Sequence, residues 1–120
     1  MPNQAKSSKS KYDLEERTAG FAENIIILIK KLPFNSINKP LTEQLIRSAG
    51  SVGANYCEAD AAESKRDFKH KIGICKKDAK ETQHWLRLLA TANPEFQTEI
   101  RLLWRECHEL LLIFSKIFSS

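Results

Sequence analysis

Apolar residues recur at intervals of three and four along four long stretches of this chain, the spacing that aligns side chains on one face of an α-helix. Leu14, Phe21, Ile25, Leu28 and Leu32 form one seam, widened by Ala22, Ile26 and Ile29. They predict a first helix from about Asp13 to Leu32, with Asp13, Glu15 and Glu16 at its start and Lys30 and Lys31 at its end, both suited to the helix dipole. Leu41, Leu45, Ala49, Val52, Tyr56 and Ala59 predict a second helix from Pro40 or Leu41 to Glu63. Phe68, Ile72, Cys75, Ala79, Thr82, Leu86 and Leu89 keep an unbroken four-three rhythm and predict a third, capped by Ser64 and running to Ala92. Phe96, Ile100, Leu103, Cys107, Leu110, Phe114 and Ile117 repeat that rhythm and predict a fourth, from Pro94 or Glu95 to Phe118. Pro33, Asn35, Asn38 and Pro40, and then Asn93–Pro94, interrupt the pattern between helices. Long helices joined by short breaks make an all-α, antiparallel up-and-down four-helix bundle.

The second helix has an unusually small centre, Ser48 to Ala54, with Gly50 and Gly53 inside it. Each mid-helix glycine costs about 1 kcal/mol relative to alanine. Close approach of a neighbouring helix offsets that cost, so both glycines are expected at a tight helix–helix contact.

At 120 residues, 42% apolar and 28% charged, the chain fits one globular domain rather than a disordered polymer. Residues 1–11 hold Lys6, Lys9 and Lys11 without an acid and read as a flexible basic tail, leaving 12–120 for the single bundle domain. The apolar runs Ile25–Ile29 and Leu110–Phe114 fall well short of the roughly 18–20 residues of a membrane span. The N-terminal stretch lacks an apolar signal core. The expectation is a cytoplasmic protein with no membrane partner. The three cysteines, Cys57, Cys75 and Cys107, are widely spaced and read as small apolar residues rather than a disulfide framework or zinc site.

Catalytic chemistry finds little footing. There is no Gly-rich phosphate loop, HExxH or GxSxG. A di-iron bundle needs Glu-x-x-His on two helices, and only Glu81–His84 matches. No metal, cofactor or catalytic residue is expected, and the protein reads as a non-enzyme.

Charge is more telling. The third helix carries eight basic residues against Asp67, Asp78 and Glu81, a net +5, more than the +4 of the whole chain. Heptad positions gather Arg66, Lys69, Lys76, Lys77, Lys80 and Arg87 on one flank, with the acids on the other side. Such a stripe suits tracking of phosphates in RNA or DNA. It suits equally a solvated face, or an adaptor surface for a protein partner. No exposed aromatic platform for single strands is apparent. Trp104, Leu111 and Phe118 recur every seven residues beside the apolar seam of the fourth helix and are expected to form an oligomer interface. Arg47, Asn55, Glu58 and Glu81 are expected to join in a structural polar network, with Arg47 meeting Glu58 or Glu81.

Several segments follow a familiar order: Asp13–Thr18, Phe21-Ala22, Leu32-Pro33, Gln44–Ala49, Ala54–Ala59, Asp67-Phe68 and Ala79–Leu86. In these the chain resembles the small bacterial four-helix bundle proteins encoded by intervening sequences in 23S rRNA genes. The fourth helix shares only the apolar pattern, and Asp78 stands where the resemblance leads one to expect Glu. The resemblance implies an up-and-down bundle assembled into a ring, typically a homopentamer. It also implies kinship with accessory proteins of diversity-generating retroelements, which bind nucleic acid and a reverse transcriptase through a basic surface. It brings no catalytic residues.

Overall fold

The structure is a computed structural model, and it describes residues 13–120. The basic segment expected at residues 1–11 lies outside them. Helix α1 spans Leu14–Lys31, α2 Asn38–Asp60, α3 Lys65–Ala92 and α4 Gln97–Ser119, with a 3₁₀ turn at Pro94–Phe96 leading into α4. Among the described residues there is no strand. The all-α, antiparallel four-helix bundle read from the spacing is the fold observed.

Local chemistry sets the ends. The Asp13 carboxylate accepts from the Glu16 amide at 3.3 Å, and the Ser64 hydroxyl from the Asp67 amide at 3.0 Å. Helix α2 starts two residues before Pro40. The Asn35 side chain accepts from the Ile37 and Asn38 amides at 3.1 and 2.7 Å and nucleates the turn early. The same helix stops at Asp60 rather than Glu63. There the Ala62 amide turns back onto the Ala59 carbonyl at 3.0 Å, which tightens the last turn and frees Ser64 to cap α3.

The four seams meet in one core, in which Ile25, Leu28, Leu45, Val52, Ile72, Leu86, Leu110 and Phe114 are fully buried. Cys75 and Cys107 are buried in it as well, with their thiols directed at the Val52 and Ala79 carbonyls. Burial pushes both thiols up to about 12, so they stay protonated. Cys57 is exposed, and its thiol is also raised, by desolvation and by Glu15.

The two glycines of α2 have different surroundings. A Cβ built on Gly53 would lie 3.0 Å from Thr18 Oγ1 and 3.3 Å from Thr18 Cβ, so this glycine admits α1. Gly50 is exposed, with nothing within 4 Å of its would-be Cβ. The tight contact expected at both therefore holds at Gly53 alone. Three residues of helix turn Gly50 about 60° away from Gly53, toward solvent.

At one end of the bundle, Asn38 and Asn93 form a buried reciprocal amide pair. Each Nδ2 donates to the other's Oδ1 at 2.9 Å. Asn38 also donates to the Pro33 carbonyl and Asn93 to the Leu89 carbonyl, so the α1–α2 and α3–α4 connections are tied together.

Candidate nucleic-acid interface

Helix α3 has two flanks. Toward α2 the polar groups are matched. Lys71 donates to Glu58 at 2.7 Å, which raises the Lys71 ammonium above its ordinary value. Arg47 pairs with Glu81, which also accepts from Trp85 Nε1 at 3.0 Å, and Arg47 is held further by Gln44 Oε1. Asn55 donates to Asp78 at 3.0 Å, so the shorter carboxylate still reaches across to α2. Beneath them the Thr82 hydroxyl sits between Ser48 Oγ at 2.9 Å and the Asp78 carbonyl at 2.7 Å. Of the two partners expected for Arg47, Glu81 is the one it meets. Glu58 serves Lys71 instead, because it lies eleven residues further along α2. The polar set is therefore three separate bridges rather than one network.

Toward α4 the pattern reverses. Arg66, Lys69, Lys76, Lys77, Lys80 and Arg87 form no ion pair with any described carboxylate. They are also not a bare flank. They line a row of hollows along the groove between α3 and α4, the middle one edged also by Asp78 and Glu81, and the α4 side is supplied by Trp104 in one hollow and by Leu111 and Phe118 in the others. The stripe expected at an oligomer interface thus has contacts within the chain itself. Leu111 and Phe118 are half-buried against the chain's own core, and only Trp104, 36% exposed, remains open. Phe118 fits because α3 offers Gly73 beneath it, where a Cβ would come within 3.1 Å of the ring. Lys69 and Lys76 then stand over that ring, 5.0 and 4.4 Å from its centroid. Cation–π attraction thus gathers two of the cations at one end of the groove.

Helix α4 contributes charge of its own, outside the stripe expected on α3. Arg101 and Arg105 sit one turn apart on its groove side, and neither pairs with a described carboxylate. The acids of α4 face the opposite way, toward α1. Glu106 and Glu109 hold Arg17 at 2.7 and 2.8 Å, and Glu99 holds Lys31 at 3.1 Å. Glu106 and Glu109 raise the Arg17 guanidinium further above its already high value. A tally of charge by helix hides this sorting, since α4 carries both signs. Part of the signal lies in angular position: at about 100° per residue, Arg101 stands about 160° from Glu99 and about 140° from Glu106, whereas Glu109 is only about 40° from Arg105 and is drawn to α1 by Arg17.

The Glu81–His84 segment holds no metal cluster. Glu81 is occupied by Arg47 and Trp85, and among the described residues no group of three or more His, Cys, Asp or Glu comes together. No described helix is long and apolar enough to cross a membrane.

Comparison with known proteins bears on this fold and surface. No curated protein matches the chain. A crystal structure of a protein of unknown function from the S23 ribosomal protein family of Bacteroides thetaiotaomicron is similar, with 29% identity and a TM-score of 0.77. The match covers 88% of this chain and 98% of that one. The family model described as 23S rRNA-intervening sequence protein matches residues 10–116. A helical bundle with this residue order over nearly its whole length belongs to the 23S rRNA-intervening sequence protein family.

Proposed function

We propose that the protein is a non-enzymatic, cytoplasmic binder of RNA or DNA, and that the α3 wall of the α3–α4 groove is its binding surface. One observation carries the reading. On a single helix, the charges facing α2 are neutralised by partners, whereas Arg66, Lys69, Lys76, Lys77, Lys80 and Arg87 are left without one. Unneutralised cations held in line on a rigid helix attract phosphates, with affinity that depends on salt and little on sequence.

The protein is further proposed to act as a homo-oligomer, a pentamer by family resemblance. The support comes from apolar side chains left exposed on α1 and α4, namely Ile26, Ile27, Leu102 and Leu112, rather than from the stripe of Leu111 and Phe118. Sedimentation of the pure protein is expected to give a multiple of the 13.7 kDa chain mass.

The test of binding is a salt titration. Each lost phosphate contact lowers the slope of log affinity against log salt by roughly 0.7–0.9. Lys77→Gln with Lys80→Gln is expected to weaken binding to unrelated RNA and DNA sequences equally and to cut the slope accordingly. Lys30→Gln with Lys116→Gln removes the same charge from sites without an ion pair elsewhere and serves as control. Equal losses in both double variants mean that only bulk charge matters, and the groove wall is then no site. Absence of a salt slope, together with capture of a specific protein, favours an adaptor.

A further inference from the structure

The α3–α4 groove ends, away from Phe118, in a pocket of about 430 Å³, within the roughly 300–1,000 Å³ of small-molecule sites. Arg87 enters it from α3, and Arg101 and Arg105 from α4. Trp104 lies among them with its indole 36% exposed. The pocket it shares with these three arginines has no described carboxylate paired to any of them. The ring is also held in place. His108 lies nearly parallel to it, with centroids 5.2 Å apart and planes 10° apart, and so covers one face. His108 is fixed in turn by Gln83, whose amide nitrogen sits 3.3 Å from Nδ1. Gln83 is buried, so the chain Gln83–His108–Trp104 presents a pre-set aromatic surface to the pocket.

We propose that this pocket takes an unpaired nucleobase of a single strand, stacked on Trp104, with the adjoining phosphates on Arg87, Arg101 and Arg105. This rests on the nucleic-acid reading above and narrows it to single strands. In a duplex both faces of each base are covered by neighbours, and only phosphates are offered. A partly exposed indole lining a hollow between two packed helices gains nothing from phosphates, but it gains stacking from a splayed base. Arginine adds to this, since its planar fork binds phosphate and also lies flat on aromatic rings.

The experiment uses Trp85→Phe protein, in which Trp104 is the single tryptophan of the two that the chain carries. It is titrated with an oligouridine of ~12 nucleotides, a length within the usual site size, and with a duplex of equal length at the same salt. The single strand is expected to quench Trp104 emission and to bind at least about tenfold more tightly than the duplex. Trp104→Leu, which keeps an apolar side chain but cannot stack, should weaken single-strand binding about 5- to 100-fold and leave duplex binding unchanged. Trp104→Phe should retain most of the affinity. If both ligands bind equally, with steep salt slopes and unaltered Trp104 emission, this inference fails while the phosphate-binding wall stands. If neither binds, both readings fail. If Trp104→Leu sediments as a smaller species than the parent protein, the indole is buried between copies and the pocket is not a base site.

Discussion

The two flanks of α3 both carry lysines and do opposite things with them. Facing α2, charge is matched: Lys71 by Glu58, Glu81 by Arg47, and Asp78 by the amide of Asn55. Facing α4, charge accumulates around an aromatic floor. The difference lies in the neighbours. Helix α2 presents a carboxylate, a guanidinium and an amide to α3, each opposite a complement. Helix α4 presents arginines and aromatics to it and turns its own glutamates to α1. A helix that stabilises the bundle through one flank is thereby free to carry unneutralised charge on the other. Exposed cations add little to stability, and matched surface pairs add only modestly, about 0–1 kcal/mol each. The hydrophobic burial beneath both flanks is what holds α3 in place.

The largest effect is expected from the glycines, which set the groove flank of α3 against the α1–α2 contact. Gly53 lies outside both flanks, where α2 meets α1, and faces a Thr18 whose hydroxyl donates to the Leu14 and Glu15 carbonyls. Gly53→Leu is expected to cost about 1–3 kcal/mol in urea unfolding, since the added side chain meets Thr18 held in one rotamer and overpacks the contact. Gly73, in the groove, faces only the flexible ring of Phe118. Gly73→Ala should change stability by no more than about 0.5 kcal/mol while displacing that ring, because the higher helix propensity of alanine offsets the poorer seating of Phe118. A large loss of stability at Gly73 would show that Phe118 cannot yield, and a small one at Gly53 that α1 and α2 can move apart.

A middle-sized effect is expected at Thr82, whose buried hydroxyl serves Ser48 and the Asp78 carbonyl. Thr82→Val should cost about 1–2 kcal/mol. Lys80→Gln, two positions away on the groove flank, should cost less than about 0.5 kcal/mol. Equal costs in matched unfolding curves would mean that the flanks do not divide structure from surface.

The smallest effect concerns pH. Burial raises the Asp78 carboxyl above its ordinary value, and the Asn55 hydrogen bond only partly counters this. A raised folded value means that the contribution of Asp78 is most favourable below the unfolded value of about 3.9 and is lost as pH rises through the folded one. Asp78→Asn removes that loss and keeps an acceptor for Asn55. The variant is expected to be slightly more stable than the parent at pH 7, with the gap closing toward pH 4. Destabilisation at pH 7 would show instead that Asp78 is held as a favourable charge.

Much of the fold is legible in the sequence because the apolar rhythm reports angular position on each helix directly. Ser64 as a cap, Pro33 as a stop and the seam from Phe68 to Leu89 all follow from local chemistry. What the rhythm does not carry is which neighbour fills each flank. Trp104, Leu111 and Phe118 stand out as a stripe beside the seam, but an up-and-down bundle can turn either way. The observed turn brings Leu111 and Phe118 of that stripe against α3 and leaves Trp104 exposed. The same missing information hides Arg101 and Arg105, and it separates the basic stripe from the aromatic one when the two share a groove. Gly50 and Gly53 show the limit at a finer scale. Both are small residues at helical spacing, yet a rotation of about 60° puts one against Thr18 and the other in solvent.

The amide pair at the bundle end constrains how the sequence can change. Asn38 and Asn93 satisfy each other by donating and accepting in equal measure, in a site closed to water. Replacing either by an apolar residue strands the partner's amide, at about 1–3 kcal/mol. Replacing both with residues of similar volume removes the stranded amides together and leaves only the lost bonds to the Pro33 and Leu89 carbonyls, a smaller cost than the single change. Each position is therefore free to vary only in concert with one 55 residues away. Lineages of this bundle should drift at that end by double steps, with the single-step intermediates selected against.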